Sequence, residues 1–222
     1  MAKLSTFFFS FLLGLLALAC SPKGTLRIID KPITWNEERE QLSLEYLKER
    51  HGLIQKNANI TPRMVVVHWT AIPSIEVTFD VFNPTLLGGR ADLTGASRLN
   101  VSSQFLIDRD GTIFRLLPDT TFARHVIGLN YLAIGIENIG SDNMPLTKAQ
   151  MESNEKLIRY LKRKYPIEYV IGHHEYQRFR STDLWKETDP NYLTVKSDPG
   201  DAFMNKLRKK LSDLNLNPLP GN

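Results

Sequence analysis

The sequence predicts an α/β protein, a single domain built on a mixed central β-sheet flanked by α-helices. Helical and strand-like segments intermix along the chain, with neither a regular strand-helix-strand series nor an internal repeat. Two short apolar runs, residues 65–67 (Val-Val-Val) and 169–171 (Tyr-Val-Ile), read as strands buried within a sheet. The composition, 42% hydrophobic and 23% charged over 222 residues, is that of a globular chain with one sizeable core.

Residues 1–19 stand apart from that domain. Lys3 gives a positive start, residues 7–19 are apolar, and Leu-Ala-Leu-Ala-Cys closes the segment, which together read as an export signal. The apolar stretch is shorter than the roughly 20 residues that span a bilayer as a helix, so a transmembrane anchor is the weaker reading. Cys20, the single cysteine, sits where a bacterial lipoprotein signal is cut and the new terminal cysteine lipidated. The segment resembles a lipobox, with Ala17 where leucine is most usual. A lipidated Cys20 would tether the protein to a membrane. One cysteine allows no internal disulfide, so stability must come from the core. Removing the signal removes Lys3 and takes the net charge from +4 to +3. That is too mild to argue for nucleic acid, and no basic stripe with interleaved aromatics is present, so no nucleic-acid partner is expected. A monomer is expected.

Residues 20–35 read as a tether and an extended lead-in, with Leu26, Ile28 and Ile29 able to pack and Pro32 blocking regular helix. A helix follows: Asn36 can cap it, Glu37, Glu38 and Glu40 suit its positive end, Lys48 and Arg50 its negative end, and Gly52 can stop it. Leu42, Tyr46 and Leu47 give it an apolar face. Residues 64–69 form the first strong strand, with His68 at its exit. Residues 70–100, with Pro73, Pro84 and Gly88-Gly89, lose periodicity and read as a long excursion with room for a turn of helix. Residues 105–108 and 112–117 are strands around Arg109-Asp110-Gly111, where Asp-Gly supplies the positive φ angles of a tight hairpin.

Residues 132–138 alternate, Leu132, Ile134 and Ile136 on one face and Ala133, Gly135 and Glu137 on the other. A glycine within a strand often marks close approach by a ligand or another backbone, which draws attention to Glu137. Thr147 opens the clearest helix, with Gln150 completing a capping box, Met151, Leu157, Ile158 and Leu161 as the buried stripe, and Pro166 ending it. After the strand at 169–171 a long loop runs to Gly200. A last helix spans about residues 201–211, with Phe203, Leu207 and Leu211 as core contacts, and residues 215–222 read as a flexible tail.

His68, His173 and Asp198 are two imidazoles and a carboxylate, each at a strand end or in a loop. That is the ligand set of a catalytic zinc site with an open fourth position, where a water's pKa falls to roughly 7. Iron or manganese is better served by more oxygen ligands. The residues alone leave alternatives open: His173 and His174 as surface loop histidines, His68 as a hydrogen-bonded core histidine, Glu137 as an exposed glutamate.

The segments Val-Val-Val-His-Trp-Thr, Phe-Leu-Ile-Asp-Arg-Asp-Gly-Thr-Ile, Ala-Arg-His (123–125), Gly-Ile-Glu (135–137), Ile-Gly-His-His-Glu and Lys-Ser-Asp-Pro-Gly occur in this order. In that order they resemble the type 2 N-acetylmuramoyl-L-alanine amidases, a family that includes amidase-type phage lysozymes and peptidoglycan recognition proteins. The resemblance covers residues 63–211 and implies an amidase-like domain over residues 36–214. It implies a zinc hydrolase that cuts the amide between N-acetylmuramic acid and L-alanine of peptidoglycan or muropeptides. By the same resemblance His68, His173 and Asp198 are the Zn2+ ligands, Glu137 works on the proton of the attacking water, and Lys196 steadies the oxyanion. His125 and Asn130 are candidate substrate contacts. The implied location is the bacterial cell envelope, exported, lipid-anchored and periplasm-facing.

The chain departs from the family pattern in three places. The family often leaves only about ten residues between second and third ligands, whereas His173 and Asp198 are 25 apart. The implied insertion, residues 176–195, contains a rival ligand, Asp189, but Lys196-Ser197-Asp198-Pro199-Gly200 reproduces the lysine spacing and the glycine. Gln104 stands where many members have histidine, and Val126-Ile127 replaces the usual glycine after His125. The competing function is a non-catalytic peptidoglycan-binding module with the same fold. Against it, all three ligand positions have candidates.

Overall fold

The computed structural model describes residues 26–89 and 95–221. The export segment and Cys20 lie outside the described residues. In chain order the elements are β1 (Ile28–Asp30), α1 (Glu37–His51), β2 (Met64–Val67), α2 (Ile75–Phe82), β3 (Phe105–Ile107) and β4 (Ile113–Arg115). They continue with β5 (Ala133–Asn138), α3 (Lys148–Lys164), β6 (Tyr169–Gly172), a 3-10 helix (His173–Phe179), α4 (Asp201–Lys210) and a 3-10 turn (Ser212–Leu214). The six strands form one sheet in the order β1-β4-β3-β5-β2-β6. Among these six strands of the described residues, β3 and β4 pair antiparallel and the other neighbours pair parallel. The mixed sheet is therefore what the irregular alternation of elements predicted.

Local signals explain the helix ends. The Asn36 side chain accepts the Arg39 N–H, and Gly52, at φ +65°, returns its own N–H to the last carbonyls of α1. Thr147 and Gln150 make both arms of a capping box on α3. Alternation along the central strands divides the core between two faces. Val65, Val67, Ile134 and Ile136 pack with Leu42 and Leu47 of α1, Leu157 and Leu161 of α3 and Leu207 of α4. Met64, Val66, Ala133 and Ile171 face the other way, toward Val126, Leu129, Tyr176 and Phe179. The functional site lies on this second face.

Four features differ from expectation. The lead-in is a true edge strand, since β1 pairs parallel with β4 and the ladder runs on through Lys31 N–H to the Arg115 carbonyl at 2.9 Å. The long excursion holds a full helix, α2, capped by Ser74. Its Val77 and Val81 are exposed beside buried Ile75 and Phe82, which blurs the helical period. In the hairpin only Gly111 takes a positive φ, +88°, and the Asp110 carboxylate instead accepts the Thr112 N–H at 2.8 Å. The final segment, expected to be loose, lies against the domain. Asn217 N–H donates to the Glu168 carbonyl at 2.8 Å, Arg178 Nε donates to the Pro220 carbonyl at 2.9 Å, and Leu219 packs on the second core face.

Candidate active site

The parallel strands β5, β2 and β6 are neighbours, and their register aligns Met64 with Ala133 and with Tyr169. Four residues further on, the same row holds His68, Glu137 and His173. An even offset keeps all three on the face of Met64 and Ala133. The ladder confirms the row, since His68 N–H donates to the Ile136 carbonyl at 2.9 Å and Asn138 N–H to the His68 carbonyl at 3.1 Å. Residues distant in sequence thus meet at the carboxyl ends of adjacent parallel strands, where open α/β sheets hold their ligands.

Asp198, from the loop before α4, completes the group. His68 Nδ1 and His173 Nδ1 are 3.0 Å apart, and Asp198 Oδ2 is 3.3 Å from the first and 3.1 Å from the second. The three residues are 1%, 8% and 7% exposed. Burial and neighbouring His68 lower the His173 pKa to about 4 against the opposing pull of Asp198. Burial alone would raise the Asp198 pKa, but the adjacent imidazoles of His173 and His68 outweigh it and hold the carboxyl well below the usual range. A neutral imidazole and an ionised carboxylate are the forms that bind a metal. A tetrahedral set at zinc-nitrogen distances would have edges of about 3.3 to 3.4 Å, close to the spacing of these three atoms. The donor set fits a metal ion.

The neighbouring residues of Gly-His-His-Glu serve as anchors. His174 turns the other way, its N–H and its ring Nδ1 reaching the Asp198 carbonyl at 2.9 and 3.0 Å. Gly172 makes room for this, because a Cβ there would lie 2.7 Å from the His174 ring. Glu175 accepts the Gly172 N–H at 2.7 Å and pairs with Arg208 of α4. The rival Asp189 lies outside the cluster; it sits 3.8 Å from Arg50 and accepts the Asn191 N–H.

Glu137 is 9% exposed, and its Oε2 has no hydrogen-bond partner among the described residues. Burial pushes its pKa up to about 7; Asp198 acts in the same direction, His68 and Lys196 against it. Lys196 lines the same cleft of about 280 Å³ as Glu137 and the three cluster residues. Tyr192 and Thr194 of the insertion line it too. The insertion is packed rather than loose. Tyr176 stacks on Trp185 and its hydroxyl bonds Thr194, Trp185 covers Gly128, and Thr188 N–H donates to the Arg50 carbonyl at 3.1 Å.

The two expected substrate contacts have internal partners. Asn130 is fully buried, and its Oδ1 accepts the N–H groups of His125 and Val126 at 2.9 and 2.8 Å. The His125 ring lies between His68 Nε2, 3.0 Å from its Nδ1, and the Ala133 carbonyl, 3.2 Å from its Nε2. Burial, then His68, holds its pKa well below the usual histidine value. The signal for this contact was present in the strand glycine: at Gly135 a Cβ would meet His125 Cγ at 2.9 Å. What approaches Gly135 is an imidazole. Gln104 also has a structural task, accepting the Gly135 N–H and donating to the Thr121 carbonyl, both at 2.7 Å.

A buried His-His-Asp set beside a carboxyl of raised pKa, at the carboxyl ends of parallel strands, defines a hydrolase-like site in an α/β domain. Residues 57–201 match the N-acetylmuramoyl-L-alanine amidase family, and the chain belongs to that family. It is an amidase of peptidoglycan, a cell-wall hydrolase. No curated protein matches the chain significantly. Among solved structures it is similar to the N-acetylmuramoyl-L-alanine amidase LysC from Clostridium intestinale URNW. That match has 21% identity and a TM-score of 0.53 over 87% of this chain and 100% of the other. The endolysine N-acetylmuramoyl-L-alanine amidase LysCS from the same organism matches with 20% identity and a TM-score of 0.52, over 88% and 100%. At these identities the likeness shows a shared fold.

Proposed function

We propose that the chain is a zinc-dependent amidase that hydrolyses the bond between N-acetylmuramic acid and L-alanine. His68, His173 and Asp198 hold the metal, Glu137 moves the proton and Lys196 stabilises the oxyanion. The observation that carries this reading is the triangle of three donor atoms, each within 3.3 Å of the others, beside an unpartnered buried carboxyl. Zinc, when bound, would polarise the scissile carbonyl and acidify the attacking water.

The protein's own residues account for the rest. Glu137, with a pKa near neutrality, is suited to take a proton from the attacking water and deliver it to the leaving amine. The Lys196 ammonium is suited to offset negative charge as it grows on the carbonyl oxygen. Tyr192 and Thr194 line the cleft that holds these groups. In the cell, export followed by lipidation of Cys20 would hold a monomer in the envelope, facing peptidoglycan or its soluble muropeptide fragments from the periplasm.

Protein without residues 1–20 should release stem peptide from muropeptides, lose activity with a chelator and regain it with zinc. Zinc content separates the two aspartates: Asp198→Ala should lose the metal and Asp189→Ala should keep it. Metal loss in Asp189→Ala alone would reverse the assignment, and activity unaffected by chelation would refute the zinc mechanism.

A further inference from the structure

We infer that His125 is a positioning residue for His68, fixing the tautomer in which His68 Nε2 carries the proton and Nδ1 presents a lone pair to the cluster. The value of this to a metal rests on the proposed function; the hydrogen-bond chain itself does not.

The deduction starts from a carbonyl. The Ala133 oxygen can only accept, so His125 Nε2, 3.2 Å away, must carry a hydrogen. A neutral imidazole has one N–H, which leaves His125 Nδ1 an acceptor. That atom lies 3.0 Å from His68 Nε2, which must therefore donate to it. The two rings meet edge to face, with centroids 5.1 Å apart and planes at 87°. The remaining nitrogen of His68, Nδ1, is then unprotonated and lies between His173 Nδ1 and Asp198 Oδ2.

The arrangement opposes a competing state. Asp198 Oδ2 lies 3.3 Å from His68 Nδ1, close enough to accept a hydrogen from it. In that tautomer His68 would satisfy itself against Asp198 and withdraw its lone pair from the site. His125 removes the option by claiming the proton at the other end of the ring. Its own ring is confined by the close face of Gly135, and its backbone N–H is held by Asn130 Oδ1 at 2.9 Å. Partners of this kind on a ligand's second nitrogen set its orientation and basicity.

The test compares wild type with His125→Phe, which keeps a ring but no acceptor, and His125→Gln, which keeps one acceptor and one donor. Nitrogen-15 NMR of the metal-free proteins reads the tautomer of His68, and competition with a chelator reads zinc affinity. Wild type should show His68 protonated at Nε2. His125→Phe should lose that preference and bind zinc about 10- to 100-fold more weakly, and His125→Gln should recover most of both. A folded His125→Phe protein with unchanged tautomer and affinity would overturn the inference. Should that variant fail to fold, a wild-type His68 protonated at Nδ1 would overturn it equally. A wild type that binds no zinc would sink the metal reading, while the tautomer measurement would still decide the role of His125.

Discussion

Gly135→Ala is a small perturbation with a large expected effect. Alanine is ordinarily the better residue in a strand interior, by about 0.5 to 1 kcal/mol, so the substitution should stabilise β5 if its surroundings were open. They are not: the added Cβ would lie 2.9, 3.0 and 3.1 Å from Cγ, Cδ2 and Nδ1 of His125. Carbon atoms in contact prefer about 3.5 to 4.0 Å, so the ring must retreat by roughly half an ångström or more. It is bonded at both nitrogens, at 3.0 Å to His68 and 3.2 Å to Ala133, and such a retreat carries those bonds to the edge of hydrogen-bonding range. Overpacking of this kind costs about 1 to 3 kcal/mol, which exceeds the strand gain. Each kcal/mol should lower the melting temperature by about 2 to 4 °C in a domain of this size. Chelator competition on the same protein should show zinc binding weakened about tenfold or more as His68 loses its partner. Calorimetry showing an unchanged or raised melting temperature, with zinc affinity intact, would refute the confinement of the His125 ring.

Three further outcomes are expected. Glu137→Gln should keep its zinc but lose about 10²- to 10⁴-fold in turnover; zinc loss, or turnover within tenfold of wild type, would remove Glu137 from proton transfer. His51, at the end of α1 against the Lys186 carbonyl, has its pKa lowered to about 4 by burial, with the charges of Arg50 and Lys186 acting in the same direction. Its unfolded value is about 6.5, so acid favours the unfolded chain and stability falls as the pH drops from that value toward 4. Between pH 7 and pH 4.5 wild type should lose about 2 to 3 kcal/mol more than His51→Gln in urea unfolding, and parallel curves for the two proteins would contradict the assigned burial. Cys20→Ala should move the protein, expressed with residues 1–19 in place, from the membrane to the soluble fraction, and an unchanged distribution would reject lipidation.

What the sequence makes legible is local. Asn36 and Gly52 on α1, and Thr147 with Gln150 on α3, mark helix ends because each cap is completed within a few residues. The three valines of β2 mark an inner strand because burial on both faces leaves no polar alternation. His68 and His173 stand out as strand-exit residues, and Asp198 through its loop motif. Less legible are features that depend on register and on distant packing. The row of His68, Glu137 and His173 follows from the alignment of β5, β2 and β6, which no single strand encodes. The partnership of His125 with His68 joins residues 57 apart, and only the glycine at 135 hints at it. The insertion reads as a long loop because its order comes from Trp185 on Gly128 and Thr188 on α1, contacts made far along the chain. Three-residue β1 is too short to show a period, and the terminal segment has none; both are fixed by backbone bonds to elements elsewhere.

Mass spectrometry of the products formed by the zinc-loaded protein, from intact peptidoglycan and from anhydro-muropeptides side by side, tests the assigned reaction most directly. Cleavage at the amide between the lactyl group and L-alanine is expected, releasing free stem peptide and leaving the glycan intact. Cleavage within the glycan or the peptide, or no product from either substrate, would contradict it.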